Sequence, residues 1–382
     1  MKIYRKINVF DEALNRVRFL FEEFDNVVVG FSGGKDSTVV LNLALKIAEE
    51  KNRLPLKVMF IDQEAEWQNV IDYMHTVMED KRVEPMWFQM PFKIFNATSN
   101  QSQWITAWEK DGEHMRPQVD YAIKENKYGT DRFYDLFNAI FKIEFPETKS
   151  CLLGGVRSEE SPRRHVAMTQ DATYKWITWG KKLNPKLDHY TFYPIYDWSY
   201  TDVWKSIHDE KWTYSKIYDF QYMYGVNIRN MRVSNLHHET AIDSLFYLQD
   251  IEQDTWNALT KRMRGISTAG KMNKSDYFIK ELPFMFRDWE EYRDYLTDKL
   301  IELDADKKRC LKKWKALDEQ YADLNGKEKL TKTMINTILS NDYYDFVKIR
   351  NFTERPDLMW WRKHKATGIE NKFTIKNKWI KR

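Results

Sequence analysis

The segment Val27-Val28-Val29-Gly30-Phe31-Ser32-Gly33-Gly34-Lys35-Asp36-Ser37 restricts the architecture more than any other part of the chain. Three consecutive β-branched residues, Val27 to Val29, suit a strand covered on both faces. Gly33 and Gly34 allow positive φ and let backbone approach a ligand. The run Thr38-Val39-Val40-Leu41-Asn42-Leu43-Ala44-Leu45 predicts a helix whose free N–H groups and positive dipole end face back to that turn. A strand, a glycine turn and a helix N-terminus in this order form an anion site, and phosphate is the usual anion. Ser32, Lys35 and Ser37 add two hydroxyls and a cation.

The alternation continues downstream. Leu56-Lys57-Val58-Met59-Phe60-Ile61 predicts a second strand ending at Asp62, a helix follows around Val70 to Met78, and Met86-Trp87-Phe88-Gln89-Met90 predicts a third strand. Upstream, Asp11 is the expected cap of a first helix carrying Leu14, Val17, Leu20, Phe21 and Phe24 on one side. Repeated strand–helix–strand units predict an α/β fold, a parallel sheet with helices on both faces. Ligands of such sheets sit at the carboxyl ends of strands, where Ser32 and Asp62 both fall. Residues 91–150, with Trp104, Trp108 and an Arg116-Pro117 turn, break the rhythm and form an expected insertion over the site. A strand over Ser150 to Val156 restores it, and from Tyr200 the chain is mainly helical, with a turn or soft boundary at Asn325-Gly326. The expected division is an α/β domain over 1–220 and a mainly helical region over 221–382.

Composition narrows the class. A chain of 382 residues accommodates one large domain and a smaller one. Fifteen Trp, twenty-one Tyr and twenty-two Phe serve either as core packing or as surfaces on which bases stack. A net charge of +4 does not by itself predict a nucleic-acid partner. The tail from Arg355 to Arg382 differs, with nine Lys and Arg against Asp357 and Glu370 and with Trp360, Trp361 and Trp379 interleaved. That tail either gives weak, salt-sensitive nucleic-acid binding or packs its tryptophans on the helical region. Only Cys151 and Cys310 occur, which excludes a disulfide framework, a zinc ribbon and a four-cysteine iron–sulfur cluster. Sparse cysteines, no apolar run of membrane-spanning length and no signal-like apolar stretch after Met1 give a cytoplasmic expectation with no membrane partner.

The glycine turn is not the P-loop of kinases and GTPases, because three residues rather than four separate Gly30 from Gly34, and Asp36 follows Lys35. Its spelling, Ser-Gly-Gly-Lys-Asp-Ser, resembles the PP-loop of the ATP pyrophosphatase superfamily. There the loop holds the β- and γ-phosphates as leaving pyrophosphate, and chemistry occurs at the α-phosphate. Asp62 ends the neighbouring strand, where it holds Mg²⁺ against phosphate oxygens, bonds a ribose, or merely caps the next helix. A third block, Gly154-Gly155-Val156-Arg157-Ser158-Glu159-Glu160-Ser161-Pro162-Arg163-Arg164, ends another strand. Its guanidiniums suit phosphate or sulfate, with Glu159 and Glu160 orienting them; an exposed salt-bridge cluster is the alternative.

These blocks, with Pro194-Ile195-Tyr196-Asp197-Trp198-Ser199-Tyr200-Thr201-Asp202-Val203-Trp204 and its continuation to Tyr218, resemble the phosphoadenosine phosphosulfate (PAPS) reductase family over roughly residues 25–220. The resemblance implies an adenine nucleotide alpha hydrolase-like fold. It implies phosphate contacts at Ser32, Gly33, Gly34, Lys35, Asp36 and Ser37 and nucleotide contacts at Asp62, Gly155, Arg157, Arg163 and Arg164. Lys35, Asp36 and Arg157 are the implied catalytic set, ATP or PAPS the ligand, and Mg²⁺ the metal at Asp62. The family's reductases carry a cysteine in a Glu-Cys-Gly-x-His-type segment, and no cysteine here has that context; Cys310 sits among Lys307, Lys308, Arg309, Lys312 and Lys313. The segment Val226 to Glu239, which includes His237-His238, together with Arg116-Pro117 and the Trp-rich insertion, resembles a divergent phage and mobile-element branch. That branch includes immunoglobulin-binding regulator A-like co-activators. Two functions are therefore expected. One is ATP α–β cleavage with adenylyl transfer, or PAPS-linked sulfo-transfer, on an unknown acceptor. The other is a non-catalytic nucleotide-sensing co-activator that acts with a protein partner or DNA.

Overall fold

The computed structural model describes residues 6–95, 104–233, 235–237, 242–263, 266, 281–301, 303–324, 327–339, 342–343 and 346–364. The described residues up to 263 form one compact unit, and those from 266 onward form another. In the first unit, α1 (Val9–Glu23), β1 (Asn26–Gly30), α2 (Lys35–Glu50), β2 (Leu56–Ile61), α3 (Gln68–Met78) and β3 (Val83–Phe88) follow in order. An antiparallel pair, β4 (Phe92–Phe95) and β5 (Trp104–Ala107), comes next. Then come α4 (Phe133–Glu144), β6 (Ser150–Leu153), α5 (Pro162–Thr169), β7 (Gly180–Lys182) and β8 (His189–Phe192). The unit closes with α6 (Tyr200–Asp209), α7 (Ile217–Met223), α8 (Ile242–Ile251) and α9 (Gln253–Arg262).

The main sheet has the strand order β3-β2-β1-β6-β8-β7, and only the edge pair β7–β8 is antiparallel. Val28 on β1 pairs with Lys57 on one side and Leu152 on the other, so β1 is central. Alternation along this strand divides the core. Val27 and Val29 pack among residues of α1, α2 and α6, while Val28 packs with Met59, Ile61, Leu152 and the α4 residues Leu136, Ile140 and Phe141. Burial on both faces explains the unbroken β-branched run, each such side chain contributing roughly 1.5–3 kcal/mol of transfer free energy. The fold is thus a mostly parallel α/β sheet with helices on both faces, as the alternation predicts. The chain leaves β1 toward β2 and β3 on one side and fills β6 and β8 on the other. The order therefore reverses between β1 and β6, and a crevice opens beyond their carboxyl ends.

Two local readings change. Asn8, not Asp11, caps α1: its side chain accepts the Asp11 backbone N–H, and Asp11 lies in the first turn, where a carboxylate favours the dipole. The sheet unit also runs past residue 220, because α8 and α9 are tied back to it. Glu252, at the start of α9, accepts N–H bonds from Gln68 at 2.7 Å and Asn69 at 2.9 Å, capping α3 from a distant part of the chain. Asp197, within the Pro-Ile-Tyr-Asp-Trp segment, makes a two-pronged ion pair with buried Arg16 at 2.7 Å on each prong, which fixes α1 against the loop before α6.

The second unit contains α10 (Trp289–Leu300), α11 (Asp304–Gln320), α12 (Lys327–Leu339), α13 (Val347–Thr353) and α14 (Pro356–His364). Its core gathers Trp314, Tyr321, Met334, Ile338 and Cys310. Trp361, in the basic tail, stacks on Tyr321 at 5.6 Å. The tail from residue 365 on, and the Asn325-Gly326 turn, lie outside the described residues.

Candidate functional site

The turn between β1 and α2 has the geometry of an anion cradle. Gly33 has φ +69°, and a Cβ there would stand 2.6 Å from Val70 Cγ1, so glycine is required on both backbone and steric grounds. Gly34 is the N-cap of α2 and supplies no side-chain cap to its open N–H groups. Ser37 Oγ donates to Gly34 O at 2.9 Å and accepts the Ser32 N–H at 3.3 Å, tightening the turn. One first-turn donor is engaged, as the Lys35 N–H bonds the hydroxyl of buried Tyr218 at 3.0 Å. Burial holds that phenol above its usual range, so it stays a neutral partner.

The loop after β6 lies directly on this turn. A Cβ on Gly155 would stand 2.6 Å from both Asp36 C and Ser37 N, so only glycine permits the approach. That closeness brings Arg157 to Asp36 at 2.5 Å, while Lys35 Nζ meets the other Asp36 oxygen at 3.1 Å. Lys35 and Arg157 are 7% and 5% exposed, so Asp36 bridges two nearly buried cations. Arg157 also pairs with Glu159 at 3.3 Å, and Glu160 pairs with Arg164. Arg164 is held below its usual range by burial and by the facing charge of Arg232.

These residues line a cleft of about 730 Å³ together with Ser32, Gly34, Ser37, Tyr200, Arg229 and Arg232. Its five cations (Lys35, Arg157, Arg164, Arg229, Arg232) face three carboxylates (Asp36, Glu159, Glu160), a formal charge of +2. A second cleft of about 640 Å³ adjoins it at Ser32 and Val233. That cleft is largely apolar, with Phe31, Met59, Phe60, Leu152 and Val156 at the strand ends and Phe133, Tyr134 and Phe137 from the insertion. An anion-binding compartment beside an apolar one, at the switch point, suits a polyphosphate carried by a flat, poorly charged group.

Asp62 is the expected site residue that the structure places elsewhere. It is fully buried; both of its carboxylate oxygens accept from Arg116 Nη2 at 2.6 Å, and the carboxylate also accepts from Trp87 Nε1 and Gln89 Nε2 at 2.9 Å and from the Glu64 N–H at 2.9 Å. With both oxygens engaged it does not fit as a magnesium ligand or a ribose acceptor; it anchors the insertion to the end of β2. Among the described residues no cluster of three or more His, Cys, Asp or Glu is placed to hold a metal ion. Glu64, which follows Asp62 at the same strand end, extends the anchor by pairing with Arg262 of α9 at 2.8 Å. Arg163 is exposed on α5 and does not line the cleft.

Glu66 in the apolar cleft is a further group that sequence reasoning missed. Burial, with the nearby Asp62 charge adding, pushes its carboxyl up to about 8. Arg229 and Arg232 were also missed. Their only local signal is an acid-free stretch from Val226 to Leu236 that carries two arginines. Neither cysteine lines either cleft, and both are buried. Cys151 sits on β6 with its thiol raised well above the usual range, and Cys310 is pushed up to about 12, in each case chiefly by desolvation. His237 is buried, and His238 lies outside the described residues.

The family model of the phosphoadenosine phosphosulfate reductase domain matches residues 26–224, and a domain of unknown function, DUF3440, matches residues 225–366. The uncharacterised protein YbdN of Escherichia coli K12 is 27% identical over 328 residues, covering 80% of this chain and 79% of YbdN. Sulfate adenylyltransferase subunit 2 of Pseudomonas putida F1 is 26% identical over 219 residues, which is 52% of this chain and 61% of that subunit. The chain thus spans less than two thirds of that relative's length. Among solved structures, phosphoadenylyl-sulfate reductase from Candida auris in complex with phosphate is similar at 12% identity and a TM-score of 0.30, covering 58% of this chain and 94% of that one.

Proposed function

The chain belongs to the phosphoadenosine phosphosulfate reductase domain family, and from that premise we propose that it binds an adenine nucleotide across the two clefts and transfers a group from it. The nucleoside occupies the apolar cleft and the phosphates the cationic one. In the preferred reaction an acceptor oxygen attacks the α-phosphate of ATP. The bond from the α-phosphorus to the bridging oxygen breaks, and pyrophosphate leaves into the loop Ser32–Ser37; a hydroxyl acceptor gives up its proton to solvent, whereas an anionic acceptor such as sulfate has none to lose. Lys35 and Arg157 meet the growing negative charge, which is electrostatic stabilisation by groups already in place. Asp36 holds both cations in register. PAPS, carrying sulfonate to an acceptor, is the second candidate ligand.

One observation carries this reading: a net-positive cleft at the uncapped start of α2 opens into an apolar cleft at the ends of β1 and β6. The likeness to a sulfate adenylyltransferase subunit supports adenylyl transfer and makes sulfate the first acceptor to try. Sulfonate reduction by a protein thiolate is left out, since both thiols are buried and hold their protons.

A second reading, nucleotide sensing without turnover, is favoured by the state of the cleft's carboxylates. Asp36, Glu159 and Glu160 are all ion-paired, so none is free to act as a base. Placement in the branch with immunoglobulin-binding regulator A-like co-activators, and partners such as a protein or nucleic acid at the basic tail, belong to this reading and rest on sequence resemblance. Calorimetric titration with ATP and with PAPS, joined to a pyrophosphate-release assay with sulfate and other acceptors, separates the two. Turnover supports transfer, and binding without turnover supports sensing. Lys35→Ala is expected to weaken nucleotide binding by about tenfold or more while the protein stays folded, as charge-assisted hydrogen bonds to phosphate are lost. Unchanged affinity for both nucleotides would remove the phosphate-loop assignment.

A further inference from the structure

Charge pairing in the cleft leads beyond the residues that the family match covers. Lys35 and Arg157 share Asp36, Arg157 is further paired with Glu159, and Arg164 is paired with Glu160. Arg229 lies over the Tyr200 ring at 5.3 Å. Arg232 alone among the five cleft cations has no ion-pair, hydrogen-bond or ring partner for its guanidinium among the described residues, although it lines the cleft.

The backbone around it is fixed on the loop. Lys35 Nζ donates to Met231 O at 3.3 Å. Gln221 Nε2 donates to Arg232 O at 3.1 Å. Val233 packs at 3.3 Å from where a Gly34 Cβ would stand. Arg232 and Arg164 face each other as like charges, an arrangement whose cost is relieved when an anion sits between them. Residues 231–233 belong to the stretch matched by the domain of unknown function, outside the 26–224 match.

We propose that Arg232 is the cation that receives the terminal phosphates of the nucleotide, so that the first segment of the DUF3440 region completes the phosphate site of the reductase-type domain. This rests on the nucleotide-binding reading above and names who meets the leaving group. Arg157, beside Lys35, and Arg164 share their charge with carboxylates, whereas Arg232 gives its full charge and its planar pair of donors to pyrophosphate.

The test uses the full chain and two probes, inorganic pyrophosphate and AMP, with Arg232→Ala, Arg232→Lys and a charge-matched control, Lys142→Ala, on the exposed side of α4. Wild type is expected to bind pyrophosphate. Arg232→Ala should lose about 10- to 100-fold in pyrophosphate affinity with AMP affinity unchanged, the scale of one or two charge-assisted hydrogen bonds. Arg232→Lys should recover part of the loss, and Lys142→Ala should match wild type. Equal pyrophosphate binding by Arg232→Ala and wild type overturns the proposal while leaving the nucleotide site standing. A matching loss in Lys142→Ala also overturns it, by reducing the effect to overall charge. Failure of wild type to bind pyrophosphate, ATP and PAPS alike overturns the underlying reading instead. Arg232 is exposed and its carbonyl bond survives substitution, so loss of fold is not expected; circular dichroism of each variant checks this.

Discussion

Gly155→Ala isolates the approach on which the site depends. The new Cβ would stand 2.6 Å from Asp36 C and Ser37 N, against the 3.4 Å at which ordinary contact begins, a shortfall of about 0.8 Å. Both obstacles are backbone at the start of α2, so neither can rotate away. The loop after β6 must move outward, taking Arg157 from Asp36 and leaving that nearly buried guanidinium poorly paired. Overpacking of this kind costs about 1–3 kcal/mol, which lowers Tm by about 2–12 °C for a unit of this size. The larger effect falls on ligand binding, because Arg157 and the turn no longer face the same anion. Differential scanning fluorimetry gives the first number and calorimetric titration with ATP the second. Gly154→Ala is the comparison. Its Cβ meets the Tyr193 ring at 3.1 Å, a side chain that can yield, so a smaller loss of stability is expected. Wild-type Tm and wild-type ATP affinity in Gly155→Ala would refute the reasoning.

Other outcomes follow from the same geometry. Arg116→Ala leaves the fully buried Asp62 carboxylate without its cation and should destabilise the sheet unit by about 3–5 kcal/mol, measured by urea unfolding; a loss under about 1 kcal/mol would show that the pair is not an anchor. Glu66 has a folded pKa of about 8 against an ordinary 4.5, so the folded state holds a proton that the unfolded state has lost between those values. Its favourable contribution is therefore complete below about pH 4.5 and declines as pH rises toward 8, and Glu66→Gln should gain on wild type across that window and no further above it. A stability difference that does not change with pH would count against this. Replacing Cys151 and Cys310 with Ala should leave pyrophosphate release intact, and neither native thiol should react with a thiol reagent before unfolding; loss of turnover in a folded, nucleotide-binding double variant would restore a thiol mechanism.

Much of the site was legible because it is local. The turn Ser32–Ser37, the strand that feeds it and the helix that follows are set by neighbours in sequence: β-branched residues, two glycines and an amphipathic run. Gly155 and Arg157 were legible for the same reason, since another strand ends there in a second glycine pair. Alternation of strands and helices likewise predicts the parallel sheet and its ligand edge. What the chain could not announce is pairing across long separations. Asp62 at a strand end has the sequence context of a ligand-binding acid, yet Arg116, fifty-four positions on, takes both of its oxygens. Glu252 caps α3 from 184 positions away, which is why the sheet unit extends past residue 220. Arg232 lines the cleft because Lys35 holds the carbonyl of Met231 from 196 positions away. Periodicity and turn chemistry act over a few residues and fix where elements form. Which charge finds which partner depends on burial and on desolvation offset by geometry, and these exist only once the sheet has brought its loops together.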